Sequence, residues 1–155
     1  MPNDLEIFGF KNTANALGIV HQSNGQTGSY SRSWNRVYAS FIFEKDNFAF
    51  VIKPWFRIHE DEENDDNPDI IDYLGHGNLR IAYKNDEHVF SFMSRNNLES
   101  GFKRGAIELG WSFPIFGYDF LKGYAQYFSG YGESLIDYNY YVNHISVGLL
   151  LTDFL

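Results

Sequence analysis

Cysteine is absent from this chain, which excludes disulfide staples and thiolate metal sites and leaves the compartment open. A run of about 18 apolar residues is also missing, so no transmembrane helix can form. The chain has no basic excess: its formal charge of −8 argues against a nucleic-acid partner. Much of the acid is local, in the stretch HEDEENDDNPD at residues 59–69. Met1-Pro2-Asn3-Asp4 leads into short mixed segments rather than the apolar core of a signal peptide. If the protein is exported, the chain is therefore expected to be a fragment or to have a wrongly placed start.

What is present suits strands and turns. Aromatic residues make up 19% of the chain, with 11 Tyr and 15 Phe, and there are 14 Gly. A length of 155 residues is enough for one domain with a real core. Leu5 to Phe10 reads as the end of a strand and Lys11-Asn12-Thr13 as a turn. Alternating strands are then expected at 17–23, 33–44, 48–58, 73–84, 88–95, 105–115, 120–130 and from 141 to the end. Pro54 asks for a bulge or an edge. Short turns near 45–47, 85–87 and 116–118 alternate with long polar loops at 24–31, 59–69, 96–103 and 131–138.

Several strands carry Lys, Arg or Glu in mid-strand, opposite an aliphatic and aromatic row. That rhythm predicts an all-β fold, an antiparallel up-and-down transmembrane β-barrel with a polar lumen. A soluble sandwich or lipocalin-like barrel alternates in the same way and differs only in which row is inside. About seven long strands and a partial one are present, whereas bacterial single-chain barrels have an even number from 8 upward. Open edges are not viable in lipid, so part of the barrel is expected to be missing on the N-terminal side of this single domain, residues 1–155. Lys53, Arg80 and Glu108 are expected to pair in the lumen. Trp34, Trp55 and Trp111 could form a core, and in a membrane barrel they fit an interfacial girdle.

One stretch points to chemistry. With a period of two, Leu17, Ile19, His21 and Ser23 share a face, so an apolar row leads into a histidine and a serine. A hairpin centred near Gly28 sets His21 opposite Asn35, with Cβ atoms roughly 4.5–5.5 Å apart. A nucleophile, a base and a group that orients the base then lie on one patch. A His-x-Ser on a strand is by itself usually without meaning.

The motifs HQSNG at 21–25, SRSWNR at 31–36, Lys53-Pro54-Trp55, DDNPD at 65–69 and YFSGYGESLIDYN at 127–139 resemble, in order and spacing, the outer membrane phospholipase A family of Gram-negative bacteria. They cover nearly the whole chain and correspond to the C-terminal seven or so strands of that family's twelve-stranded barrel. The resemblance implies a calcium-dependent hydrolase of the cell outer membrane that cuts phospholipid and lysophospholipid acyl esters from the barrel exterior. It implies Ser23 as nucleophile, His21 as general base, Asn35 as the group orienting His21, and the Gly25 N–H as an oxyanion donor. It further implies that the backbone carbonyls of Gln26 and Ser31 ligate Ca2+, and that a calcium-linked homodimer completes the site with a serine from strands not present here. Of the family's second calcium pair only Asp66 is retained, since Gly28 stands where the other carboxylate would be. A non-catalytic porin or adhesin barrel is the competing reading. The acidic loop around Asp66 is by default a solvated loop, and His76, His88 and His144 show no metal spacing.

Overall fold

In the computed structural model, residues 5–61, 63 and 65–151 are described. The strands are β1 (Glu6–Ile7), β2 (Phe10–Ser23), β3 (Ser33–Lys45), β4 (Phe48–Ile58), β5 (Gly77–Asn85), β6 (His88–Asn96), β7 (Gly105–Ile115), β8 (Tyr118–Gly130) and β9 (Val142–Leu150). They form one antiparallel nine-stranded sheet in which each strand pairs with the next in sequence. This is the expected up-and-down order. Among the described residues the sheet is open, with no pairing between its first strands and β9. The expected tail of the last strand at 152–155, and the start at 1–4, lie outside the described residues.

Short-range chemistry sets the tight turns. Asp46 and Asp86 take positive φ values of 51° and 53°, which short Asx side chains tolerate. The first turn differs from expectation. It falls at Phe8-Gly9, and Lys11-Asn12-Thr13 belong to β2. Asn12 is buried and donates from Nδ2 to the Ile42 carbonyl at 3.0 Å, at a bulge between Asn12 and Ala14. A polar run is therefore held in a strand because the bulge gives its amide a partner. Pro54 causes neither a bulge nor an edge: β4 lies inside the sheet, and the β3–β4 ladder lapses between Tyr38–Trp55 and Phe41–Ile52 without a change of register. The missing N–H of proline makes that lapse.

Residues 70–74 form a helix, α1 (Ile70–Leu74), where the sequence suggested the approach to a strand starting at 73. The apolar spacing Ile70, Ile71, Leu74 covers one helical face. Gly75 closes the helix with φ 67°, and a Cβ there would meet the Asn96 carbonyl oxygen at 2.3 Å. No side chain fits that approach.

α1 and the loop after β8 cover one end of the sheet's inner face. Trp34, Trp55, Ile70, Leu74 and Tyr138 form the buried cluster there. Two of the three tryptophans expected in a girdle are thus core residues, because Trp34 and Trp55 have inward parity and α1 packs on them. Trp111 does face outward, stacked with Phe90 and against Phe113. The outer row is bare: Leu17 is 80% exposed, Ile19 74%, Phe56 75% and Ile145 77%. On the inner face Arg80 Nη1 lies 4.0 Å from Glu108, as expected, while Lys53 Nζ sits 4.1 Å from the centre of the Tyr38 ring.

Candidate active site

β2 and β3 carry the site in register. Ile19 pairs with Val37, His21 with Asn35 and Ser23 with Ser33. The shared parity puts His21, Ser23 and Asn35 on the exposed apolar face. His21 Nδ1–H donates to Asn35 Oδ1 at 2.9 Å. A proton on Nδ1 leaves the Nε2 lone pair free to act as a base. Ser23 lies two residues further along the same strand face, and its Oγ accepts the Gly25 N–H at 3.1 Å. Gly25 holds φ 69° with open space where a Cβ would stand, so the turn aims its amide back at the serine.

The loop between β2 and β3 is built around Asn24. Its Oδ1 accepts the backbone N–H groups of Gln26 (3.2 Å) and Arg32 (3.0 Å), and its Nδ2 donates to the Tyr30 carbonyl at 2.7 Å. A short 3₁₀ turn at Gly28–Tyr30 follows, closed by Ser31 N–H to the Gly28 carbonyl at 3.0 Å. One side chain thereby supplies the backbone partners that a strand ladder no longer provides.

The acidic stretch is not simply solvated. Asn67 is fully buried and its Oδ1 accepts the Ser33 N–H at 2.9 Å, so the loop is bonded to the first residue of β3. Arg57 Nη2 donates to Asp65 at 2.6 Å, with side-chain exposures of 4% and 9%, and Asp65 also accepts the Asn67 N–H at 3.0 Å. Removing either charge of such a pair leaves the other buried and uncompensated. Ser31 Oγ–H donates to Asp66 Oδ2 at 2.5 Å. Tyr138 Oη–H donates to Asp69, and the Tyr138 phenol is pushed well above its ordinary value by burial first and then by the Asp69 carboxylate. Glu60, another residue of this loop, accepts from Asn35 Nδ2 at 2.9 Å.

Among the described residues there is no group of three His, Cys, Asp or Glu side chains able to hold a metal. A cation here would therefore need backbone and hydroxyl oxygen. The Gln26 and Ser31 carbonyls and the Asp66 carboxylate are the oxygen donors here that could hold a hard ion such as calcium, and Ser31 Oγ–H bonds this loop to Asp66. Arg32 Nη1 donates to the Ser31 carbonyl at 2.6 Å and to the Ser29 carbonyl at 3.2 Å, so a calcium ion on the Ser31 carbonyl would have to displace this guanidinium. Three oxygens fall short of the 6–8 ligands calcium takes.

Sequence reasoning grouped His21, Ser23, Asn35 and Gly25; the structure bonds His21 to Asn35 and Gly25 to Ser23 on the paired ends of β2 and β3, and among the described residues no hydrogen bond joins His21 to Ser23. It missed Glu60, Asn24 and Asn67. Glu60 was within reach: Asn35 pairs with Ile58, and two residues further on the same face is Glu60. The other two act through loop geometry that has no strand period.

A strand-by-strand antiparallel sheet with a bare apolar exterior fits a section of a membrane β-barrel, here with an imidazole, a hydroxyl and a carboxamide on its outside. The family model for phospholipase A1 matches residues 1–151. The chain belongs to that family. It is 41% identical over 137 residues to a phospholipase A1 of Klebsiella pneumoniae, covering 88% of this chain and 46% of that protein. It is 45% identical over 139 residues to a putative phospholipase A1 of Neisseria meningitidis serogroup B, covering 88% and 35%. The outer membrane phospholipase A of Escherichia coli superposes with a TM-score of 0.87 at 38% identity, over 97% of this chain and 56% of that one. A Salmonella typhi outer membrane phospholipase, solved as a dimer with bound calcium, gives 0.88 at 38% identity over the same shares. The fold is thus that of an outer-membrane barrel, and this chain spans less than half the length of the two sequence relatives.

Proposed function

We propose that the complete protein is a calcium-dependent outer-membrane phospholipase that hydrolyses acyl esters at both positions of a phospholipid and in lysophospholipids. The observation that carries this reading is the 2.9 Å His21–Asn35 hydrogen bond on the outward apolar face, one strand step from Ser23. A lipid lying beside the barrel offers its ester carbonyl to that face without leaving its hydrocarbon surroundings. His21 Nε2 takes the proton from Ser23 Oγ as the oxygen attacks the carbonyl carbon, and then returns it to the departing alcohol. Water, deprotonated by His21, hydrolyses the resulting acyl-Ser23 ester. Asn35 keeps His21 in the productive tautomer. The Gly25 N–H, 3.1 Å from Ser23 Oγ, lies next to the carbon that oxygen attacks and can donate to the oxyanion that develops there.

The Gln26 and Ser31 carbonyls would hold calcium, with Asp66 nearby, and calcium there supplies positive charge for the developing oxyanion. A second calcium would find Asp66 as its single carboxylate, because Gly28 lacks the other. A homodimer joined along this outer face brings the remaining ligands. The test is fatty-acid release from phospholipid micelles by the full-length protein. Calcium-dependent release that Ser23→Ala lowers by about 10³-fold or more is expected, with chelation by EDTA giving a similar loss. A Ser23→Ala protein as fast as wild type sinks the reading. Ion conduction in a planar bilayer with no fatty-acid release points to a porin instead.

A further inference from the structure

We propose that Glu60 is a positioning residue of the active site, a fourth member that fixes the Asn35 amide and supplies the negative charge the trio lacks. This rests on the serine-hydrolase reading above. Asn35 Nδ2–H donates to Glu60 Oε1 at 2.9 Å while Asn35 Oδ1 accepts from His21 at 2.9 Å. A carboxylate can only accept, so the NH2 end of Asn35 must face Glu60. The amide oxygen must then face His21, which in turn requires the proton on Nδ1. That leaves Nε2 unprotonated and free to serve Ser23. Without Glu60 the amide could turn over, and an NH2 group facing His21 would select the wrong tautomer.

The charge matters as well as the direction. A neutral amide offers an imidazolium much less stabilisation than a carboxylate does. Glu60 polarises the amide through a charge-assisted hydrogen bond and places its negative charge one side chain away. The backbone accounts for its reach: Asn35 pairs with Ile58 at the end of β4, and Glu60 continues the same face two residues on. The neighbouring loop is bonded to β3 through Asn67 and to β4 through Arg57 and Asp65, which anchors the segment carrying Glu60.

The experiment uses the full-length protein in detergent with calcium and a soluble short-chain ester, with Ser23→Ala as reference. Glu60→Gln keeps an oxygen for Asn35 but removes the charge. It is expected to lower kcat about tenfold with KM unchanged, since a charge-assisted bond is roughly twice as strong as a neutral one. Glu60→Asp should recover part of that loss. Asn35→Asp sets two carboxylates against each other and should be slower than Glu60→Gln. The double variant Asn35→Asp with Glu60→Gln lets the new amide donate to Asp in place of Asn, and should recover at least about tenfold over Asn35→Asp alone. A residue that merely held the loop would not rescue in this way. If Ser23→Ala is inactive, wild-type kcat in Glu60→Gln, or no recovery in the double variant, overturns the role of Glu60 and leaves the hydrolase reading standing. Full activity of Ser23→Ala overturns both.

Discussion

On the outer face of β2 and β3, Leu17, Ile19 and Val37 lead up to His21, Asn35 and Ser23. On the inner face of the same two strands stand Gln22, Trp34 and Arg36. The Arg36 guanidinium lies 3.9 Å from the Trp34 ring centre and donates to Gln22 at 3.0 Å, and Trp34 Nε1–H donates to the same Gln22 oxygen at 3.1 Å. The outer polar groups are few and joined in a line, His21 to Asn35 and Asn35 to Glu60. The inner ones are long cations and rings, packed and shared. The difference follows from the two solvents. Lipid penalises charge on the outer face, so polar groups there are kept to the site, where the Glu60 carboxylate accepts from Asn35. The inner face can hold Arg36, Lys53, Arg80 and Arg95 because rings, carbonyls and Glu108 receive them. The proposed chemistry lies outside and the buried packing lies inside.

Three changes test that contrast. The largest effect is expected from Trp34→Ala, which empties the inner cluster beneath α1. It should cost about 3–5 kcal/mol, measured as the urea midpoint of the folded barrel in detergent. An effect below 1 kcal/mol would deny that the inner face carries the stability. Next comes Leu109→Arg, in the middle of β7 and facing out. It should cost about 2–4 kcal/mol in a bilayer, although Glu108, one residue earlier and facing in, is native. Refolding into vesicles of phosphatidylcholine would measure it, and a neutral result would mean that Leu109 does not face lipid.

The smallest effect concerns the loop cap. The raised Tyr138 phenol means that the folded state holds its proton more tightly than the unfolded chain. Its contribution is therefore complete below about pH 10 and is lost as pH rises beyond that. A melting temperature that declines more steeply above pH 10 in wild type than in Tyr138→Phe is expected. Parallel declines would remove Tyr138 from the account.

The trio could be read in the sequence because strand parity and a single hairpin centre are enough to set His21 opposite Asn35. Sheet order and the Arg80–Glu108 contact followed from the same period of two. Residues 59–75 resisted such reading. Their acid content suggests solvation, yet Asn67 and Asp65 are buried by partners on β3 and β4 that only the folded loop brings near. The tryptophans were ambiguous for a related reason, since parity assigns a face but not what covers it.

By itself, the sequence determined periodicity: which residues alternate, where the chain turns, and which three polar groups share a greasy row. Those are local properties, decided within one strand pair by backbone geometry. Only the tertiary structure decided that α1 and the β8–β9 loop close over Trp34 and Trp55, and that Asn67 returns to the Ser33 N–H. Such contacts join residues distant along the chain through irregular loops. No period runs through a loop to carry that information.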